Sequence, residues 1–208
     1  VRIGEDGRVT VLSGKIEMGQ GVETSQAQMA AEELRVPLDS IDMVLGDTDL
    51  CPWDAGTWGS LTTRVFGPAL RAGCAKAREV LLELASERLG TPVNRLRAED
   101  GVVSVVGGQG RVTYAELARG QRIEKVLDRE AVLRAVEDFT VMGSSPKRLD
   151  RAAKVTGAAR YAGDIRLPGM LRARILRPPA HGATTRSVDT SAAEAVAGVT
   201  VVNQDGLV

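Results

Sequence analysis

A helix faced with alanine constrains this chain more than any other feature. Ala27, Ala30, Ala31 and Leu34 fall at helical spacing and form one narrow apolar stripe. Side chains that small let a helix lie close against a sheet. Aromatic residues make up only 3% of the chain, so its core must come from close backbone approach rather than from large rings. Ser25 and Gln28 read as an S-x-x-Q capping box at the helix start, and Pro37 stops the helix.

Similar patterns run along the chain. Residues 1–14 alternate around Glu5-Asp6-Gly7, a tight-turn sequence between two strands. Residues 41–47 read as a strand, and 47–60 as a loop rich in Gly, Pro and Trp. A second helix spans 60–89. Leu70, Gly73, Cys74, Ala77, Leu81 and Leu84 lie on one side, and Gly90 ends it. Gly67-Pro68 should kink it or split off its first turn. A hairpin follows near 96–106, then a T-x-x-E box at Thr113 and Glu116 opening a short helix. A weaker helical pattern covers 128–136. Strands are expected at 159–165, 170–179 and 198–203, with a helix near Ser191 to Val196. The irregular alternation favours an α+β fold, divided as 1–136, a connector at 137–158, and 159–208.

Two glycine-flanked polar turns precede helices. In Gly19-Gln20-Gly21, bare backbone on both sides of Gln20 lets a ligand approach the main chain. The amide offers a donor and an acceptor, and the next helix start offers N–H groups suited to an anion. The competing reading is a plain turn with an exposed Gln. A dinucleotide fingerprint fails because Thr24 stands where a third Gly is needed, and Gly14-Lys15 lacks the spacing of a phosphate loop. The second turn, Gly56-Thr57-Trp58-Gly59-Ser60, places Ser60 and Thr62 at a helix start. Simple N-capping accounts for one hydroxyl but not for both glycines.

Several classes are excluded or weakened. Lys plus Arg (27) equals Asp plus Glu (27), so no charge surplus supports nucleic-acid binding. No apolar run approaches the roughly 20 residues of a membrane span. His181 with Cys51 and Cys74 cannot build a metal cage, and none of the three is read as catalytic. The cysteines read as two free, half-buried thiols, with one disulfide as the alternative. Glu17 and Glu23 flank the first turn but nothing in sequence pairs with them as bases. The chain starts at Val1 in mid-strand and ends on Gly-Leu-Val, so both ends read as cuts in a longer polypeptide. A missing leader therefore says nothing about a cytoplasmic or periplasmic location.

The stretches at 14–34, 46–52 and 56–63 together resemble the molybdopterin-binding region of the aldehyde oxidase/xanthine dehydrogenase family. Residues 147–199 resemble that family's α/β hammerhead domain, here partial. The turn with Gln20 precedes the hammerhead, an order that resembles the large-subunit type of the isoquinoline 1-oxidoreductase group. The resemblance implies that Gly19, Gln20, Gly21, Gly59, Ser60 and Thr62 contact the molybdopterin cofactor. It implies that the cofactor holds the metal, so the protein supplies no metal ligand here. It further implies 2Fe-2S clusters on a small partner subunit, and a substrate that is an aldehyde or an aromatic N-heterocycle. The family's catalytic Glu motif and a Phe-Gly-Gly segment are absent from these 208 residues, so this segment should carry no catalytic residue and be inactive alone. The other readings are a non-catalytic binding or assembly module and, less specifically, a phosphate- or nucleotide-binding domain.

Overall fold

In the computed structural model, which describes residues 1–121, 123 and 130–204, the chain divides into two units, Val1–Ala159 and Arg160–Val208. The first unit begins with a short hairpin. Strand β1 (Arg2–Ile3) pairs antiparallel with β2 (Val9–Ser13) across the expected turn, where Gly7 takes φ 80°. Strand β2 buries Val9, Val11 and Ser13, the period of two expected of a strand with one covered face. Helix α1 (Val22–Leu34) then crosses over, and β3 (Ile41–Leu45) pairs parallel to β2, Val9 opposite Ile41 and Ser13 opposite Leu45. The sheet is therefore mixed, in the order β1-β2-β3.

The long second helix is split as its Gly67-Pro68 pair requires. A π-helical turn at Thr62–Phe66 leads into α2 (Gly67–Leu89), with Pro68 in its first turn, where a missing N–H costs nothing. Gly90 caps α2 at φ 59°. A second, antiparallel sheet follows: β4 (Leu96–Glu99), β5 (Val102–Val105) and β6 (Arg111–Thr113). Helix α3 (Tyr114–Ala118) opens on the Thr113–Glu116 capping box, with both reciprocal bonds present. Helix α4 (Arg151–Val155) lies in the stretch read as a connector, and the whole of 137–158 belongs to the first unit.

The core joins both sheets and both long helices. Ala27, Ala30, Ala31 and Leu34 of α1 pack with Val9, Val11 and Ile41, and with Cys74, Leu81 and Ala85 of α2. The second sheet adds Ala98, Val103 and Val112. Tyr114 is also buried, and its hydroxyl donates to the Leu34 carbonyl at 2.7 Å, tying α3 to the end of α1. Cys74 is fully buried rather than half-buried, and burial pushes its thiol up to about 12. Cys51 is half-buried, and both thiols are free.

Two expectations about α1 need correction. The helix begins at Val22, not after Ser25. Ser25 and Gln28 lie within it, and the Gln28 amide donates to the Val141 carbonyl at 2.8 Å instead of capping. The helix is also covered on more than its alanine stripe, because Glu32 and Glu33 are fully buried. The Glu32 carboxylate accepts N–H bonds from Thr140, Val141 and Met142 and pairs with Arg134. Glu33 pairs with Arg71 and Arg78 and accepts the Arg134 N–H. Buried carboxylates this well partnered act as anchors that draw residues 134–142 onto the helix.

In the second unit the expected strands do not form. Among its described residues the regular elements are a 3-10 turn at Ala162–Asp164 and one helical turn, α5 (Ser191–Glu194). Leu167, Leu171, Ile175 and Leu176 are exposed. A strand is stable only when a neighbour takes its hydrogen bonds and one face is covered, and these residues find neither. The helical pattern at 128–136 lies partly outside the described residues; from Glu130 to Ala135 no helix forms, and only a 3-10 turn at Val136–Asp138 follows.

Candidate functional site

The two glycine turns are stitched together by the end of β2. Gly14 allows this contact, since a Cβ there would sit 2.6 Å from the Pro52 carbonyl oxygen. Lys15 then reaches into the second loop. Its Nζ lies 2.8 Å from Asp54 Oδ1 and donates to the Gly56 carbonyl at 2.8 Å, with the Phe66 ring 5.4 Å away. The Ile16 N–H donates to Thr57 Oγ1 at 3.0 Å.

The first turn is organised by Glu17. Its carboxylate accepts the N–H groups of Gly19 at 2.8 Å, Gly21 at 3.0 Å and Glu23 at 3.1 Å. Burial raises the pKa of this carboxyl, but the Glu23, Gly21 and Gly19 bonds and the Arg148 charge outweigh it and hold the group below its usual value. The expectation of N–H groups left open for an external anion at this helix start therefore fails for Gly21 and Glu23. An internal carboxylate already occupies them. Glu23 behaves oppositely: burial, then Asp150 and Glu17, raise its carboxyl.

Gln20 is exposed, not buried. Its amide brackets its own loop, accepting from Met18 N–H at 2.6 Å and donating to the Ile16 carbonyl at 2.8 Å. Gly19 and Gly21 take φ 107° and 85°, values that a side chain at either position would strain. At the second turn Gly59 and Ser60 both take left-handed φ, 64° and 55°. For Ser60 that is an uncommon conformation, held at the entry to the π-helical turn.

Between the turns lies a groove of about 420 Å³. Gln20, Gly59, Ser60 and Thr62 line it together, while Gly19 and Gly21 shape the turn without lining it. Ser25, Thr57 and Thr63 add hydroxyls; Met18, Val22 and Trp58 add apolar surface. Its lining side chains are all uncharged. Among the described residues no cluster of three or more His, Cys, Asp and Glu side chains could hold a metal ion, and no helix is long and apolar enough to cross a membrane. His181 is not among the residues that line the groove and belongs to an exposed stretch of the second unit.

Sequence patterns do not reveal the residues that hold this site. Spacing offers Glu17 only as a base, whereas it caps a turn. Arg148, 129 positions beyond Gly19, donates to the Gly19 carbonyl at 2.7 Å and reaches Glu17 at 3.3 Å. The Leu149 N–H donates to Thr24 Oγ1 at 3.0 Å. The Arg148-Leu149-Asp150 run carries the one signal in the sequence, an Arg beside an Asp in a stretch without regular structure.

Residues 1–160 match the family model described as a molybdopterin cofactor-binding domain. The B subunit of nicotinate dehydrogenase from Pseudomonas putida is 40% identical over 182 residues, covering 88% of this chain and 15% of that protein. The beta subunit of isoquinoline 1-oxidoreductase from Brevundimonas diminuta is 27% identical, covering 96% of this chain and 30% of that protein. Among solved structures, the reconstituted CO dehydrogenase from Oligotropha carboxidovorans is similar, with a TM-score of 0.52 and 31% identity over 64% of this chain and 16% of that one. The chain thus spans less than a third of the length of each. With the match running through both glycine turns and the segment that carries Arg148, the chain belongs to the family of molybdopterin cofactor-binding domains.

Proposed function

We propose that this chain forms one wall of the cofactor site in the large subunit of a molybdenum hydroxylase that oxidises an aldehyde or an aromatic N-heterocycle, with water as the oxygen source. One observation carries the reading: the convergence of the Gln20 amide with the Ser60 and Thr62 hydroxyls on one groove between two glycine turns. The relatives named for nicotinate and isoquinoline support the N-heterocycle class.

The donor set fits a pterin. Amide and hydroxyl groups donate and accept in turn, as the edges of a polar heterocycle require, and Met18 and Trp58 offer apolar surface to its faces. A Cβ at Gly19 would meet nothing within 4 Å, so this position puts no side chain beside the groove, while its N–H and carbonyl are already bonded to Glu17 and Arg148. When bound, the cofactor supplies the molybdenum centre and its two-electron redox chemistry. The chain's own residues bind and orient it. Among the described residues the hydroxyls of Ser60, Thr62 and Thr63 make no side-chain hydrogen bond, so they are available to a ligand. Gln20 shapes the facing wall through its bonds to Met18 and Ile16. In this reading the rest of the large subunit supplies the opposite wall and the general base. A small partner subunit carrying 2Fe-2S clusters would take up the electrons, and residues 159–208 would complete a hammerhead fold with further chain of the large subunit.

The test is Gln20→Ala in the full-length protein, with molybdenum and pterin content measured beside turnover. Content or turnover should fall, because removing the amide frees the loop it brackets; the bracket is exposed, so the loss is about 0.5–1.5 kcal/mol. Unchanged loading and turnover would remove Gln20 from the site.

A further inference from the structure

The Gln20 turn does not hold itself unaided. Gly19 and Gly21 are its softest positions, and glycine can leave their left-handed φ values for many other conformations. They are restrained from within by Glu17 and from outside the turn by Arg148. The Gly19 residue is gripped at both ends, its N–H by Glu17 at 2.8 Å and its carbonyl by Arg148 Nη1 at 2.7 Å. Arg148 also bonds the same Glu17 carboxylate oxygen, at 3.3 Å, so cation, anion and peptide close into one cluster. The guanidinium is aimed by Asp150, which takes Nε at 2.9 Å and Nη2 at 2.7 Å in a two-pronged pairing. Lys154 pairs with Asp150 in turn, and the backbone is pinned by the bond from Leu149 N–H to Thr24 Oγ1.

We infer that Arg148 is a positioning residue for the Gln20 wall: its guanidinium fork locks the Gly19 peptide and the Glu17 carboxylate so that the groove is already shaped when a pterin arrives. The inference rests on the cofactor reading above. The arrangement needs the planar fork, not only the charge. One ammonium cannot meet the Gly19 carbonyl, the Glu17 carboxylate and both Asp150 oxygens from one fixed geometry. A preshaped wall saves the ligand the cost of ordering two glycines. Glu17 and Arg148 should then act as a unit, so that losing either loses most of what both provide.

The experiment compares Arg148→Ala, Arg148→Lys, Glu17→Gln and the Arg148→Ala/Glu17→Gln pair in the full-length protein, with Arg97→Ala, an exposed side chain in the second sheet, as control. Amide hydrogen exchange is read at Gly19, Gly21 and Glu23 and, as an internal reference, at the buried turns of α2. Pterin content is read by fluorescence after oxidative release. Arg148→Ala should speed exchange at the three turn amides about ten-fold or more while α2 stays protected, and should lower pterin content. Arg148→Lys should not restore either, and the double variant should add little to the singles. Unchanged exchange at the turn in Arg148→Ala, or full rescue by lysine, overturns the inference. If Arg148→Ala loses protection throughout, Arg148→Lys and Glu17→Gln decide by the same criterion. A wild-type protein without pterin sinks the cofactor reading instead, and the exchange data still judge Arg148.

Discussion

Lys15 Nζ and Asp54 Oδ1 lie 2.8 Å apart, and this largely buried pair holds the second glycine turn against the end of β2. Lys15→Ala would leave Asp54 and the Gly56 carbonyl short of a partner inside a mostly covered contact. The expected cost is about 1–3 kcal/mol. Thermal unfolding measures it, and faster exchange of the Ile16 amide, which bonds Thr57, would show that the two turns have parted. A variant with wild-type melting and exchange would mean that the turns are held elsewhere.

Glu32 makes the larger structural claim. Its carboxylate is fully buried and anchors three successive N–H groups, Thr140 to Met142, and Arg134. Glu32→Ala leaves the Arg134 charge and those amides without their acceptor, at an expected cost of about 3–5 kcal/mol. Denaturant titration reads the loss, and cleavage between residues 134 and 149 in limited proteolysis should appear well before global unfolding.

Acid should loosen the same contacts. In the folded protein the carboxyls of Glu17 and Glu32 lie below the ordinary value of 4.5, because N–H bonds and nearby arginines outweigh the opposing effect of burial. A lowered folded pKa means that their contribution is complete above 4.5 and is lost as pH falls through the folded value. Glu23, raised by burial and by Asp150 and Glu17, contributes in the other direction. Melting temperature followed from about pH 7 to about pH 3 should drop, and Glu32→Gln should flatten that drop. An equally steep acid limb in the variant would assign acid sensitivity to other groups.

Tyr114→Phe removes the hydroxyl that donates to the Leu34 carbonyl, leaving a buried acceptor at the end of α1 unpaired. A loss of about 1–2 kcal/mol is expected, with the fold otherwise kept. Equal stability of the two proteins would show that the carbonyl finds another donor.

At the groove, Gly59→Val should damage pterin loading more than Ser60→Ala. Gly59 sits at φ 64°, which a branched side chain resists, whereas the serine change deletes one exposed hydroxyl. Full loading in both variants would show that residues 56–62 do not line the cofactor site.

Local chemistry was readable without coordinates. The Gly7 turn, the Gly67-Pro68 break, the Gly90 cap and the Thr113–Glu116 box each depend on a few neighbouring residues, and each lies where its residue types require. The glycine turns and their polar residues stood out for the same reason. Tertiary structure alone decided what those turns are made of. No local rule says that Glu17 turns back onto three N–H groups, that Arg148 crosses 129 positions to reach Gly19, or that adjacent carboxylates on an alanine-rich helix are both buried. The last two outcomes are set by which distant charge arrives to offset burial, a long-range electrostatic match that spacing does not encode. The second unit marks the same boundary from the other side. Its residues 170–179 have strand-like composition, yet a strand is a property of a pair of segments, and among the described residues no segment pairs with them.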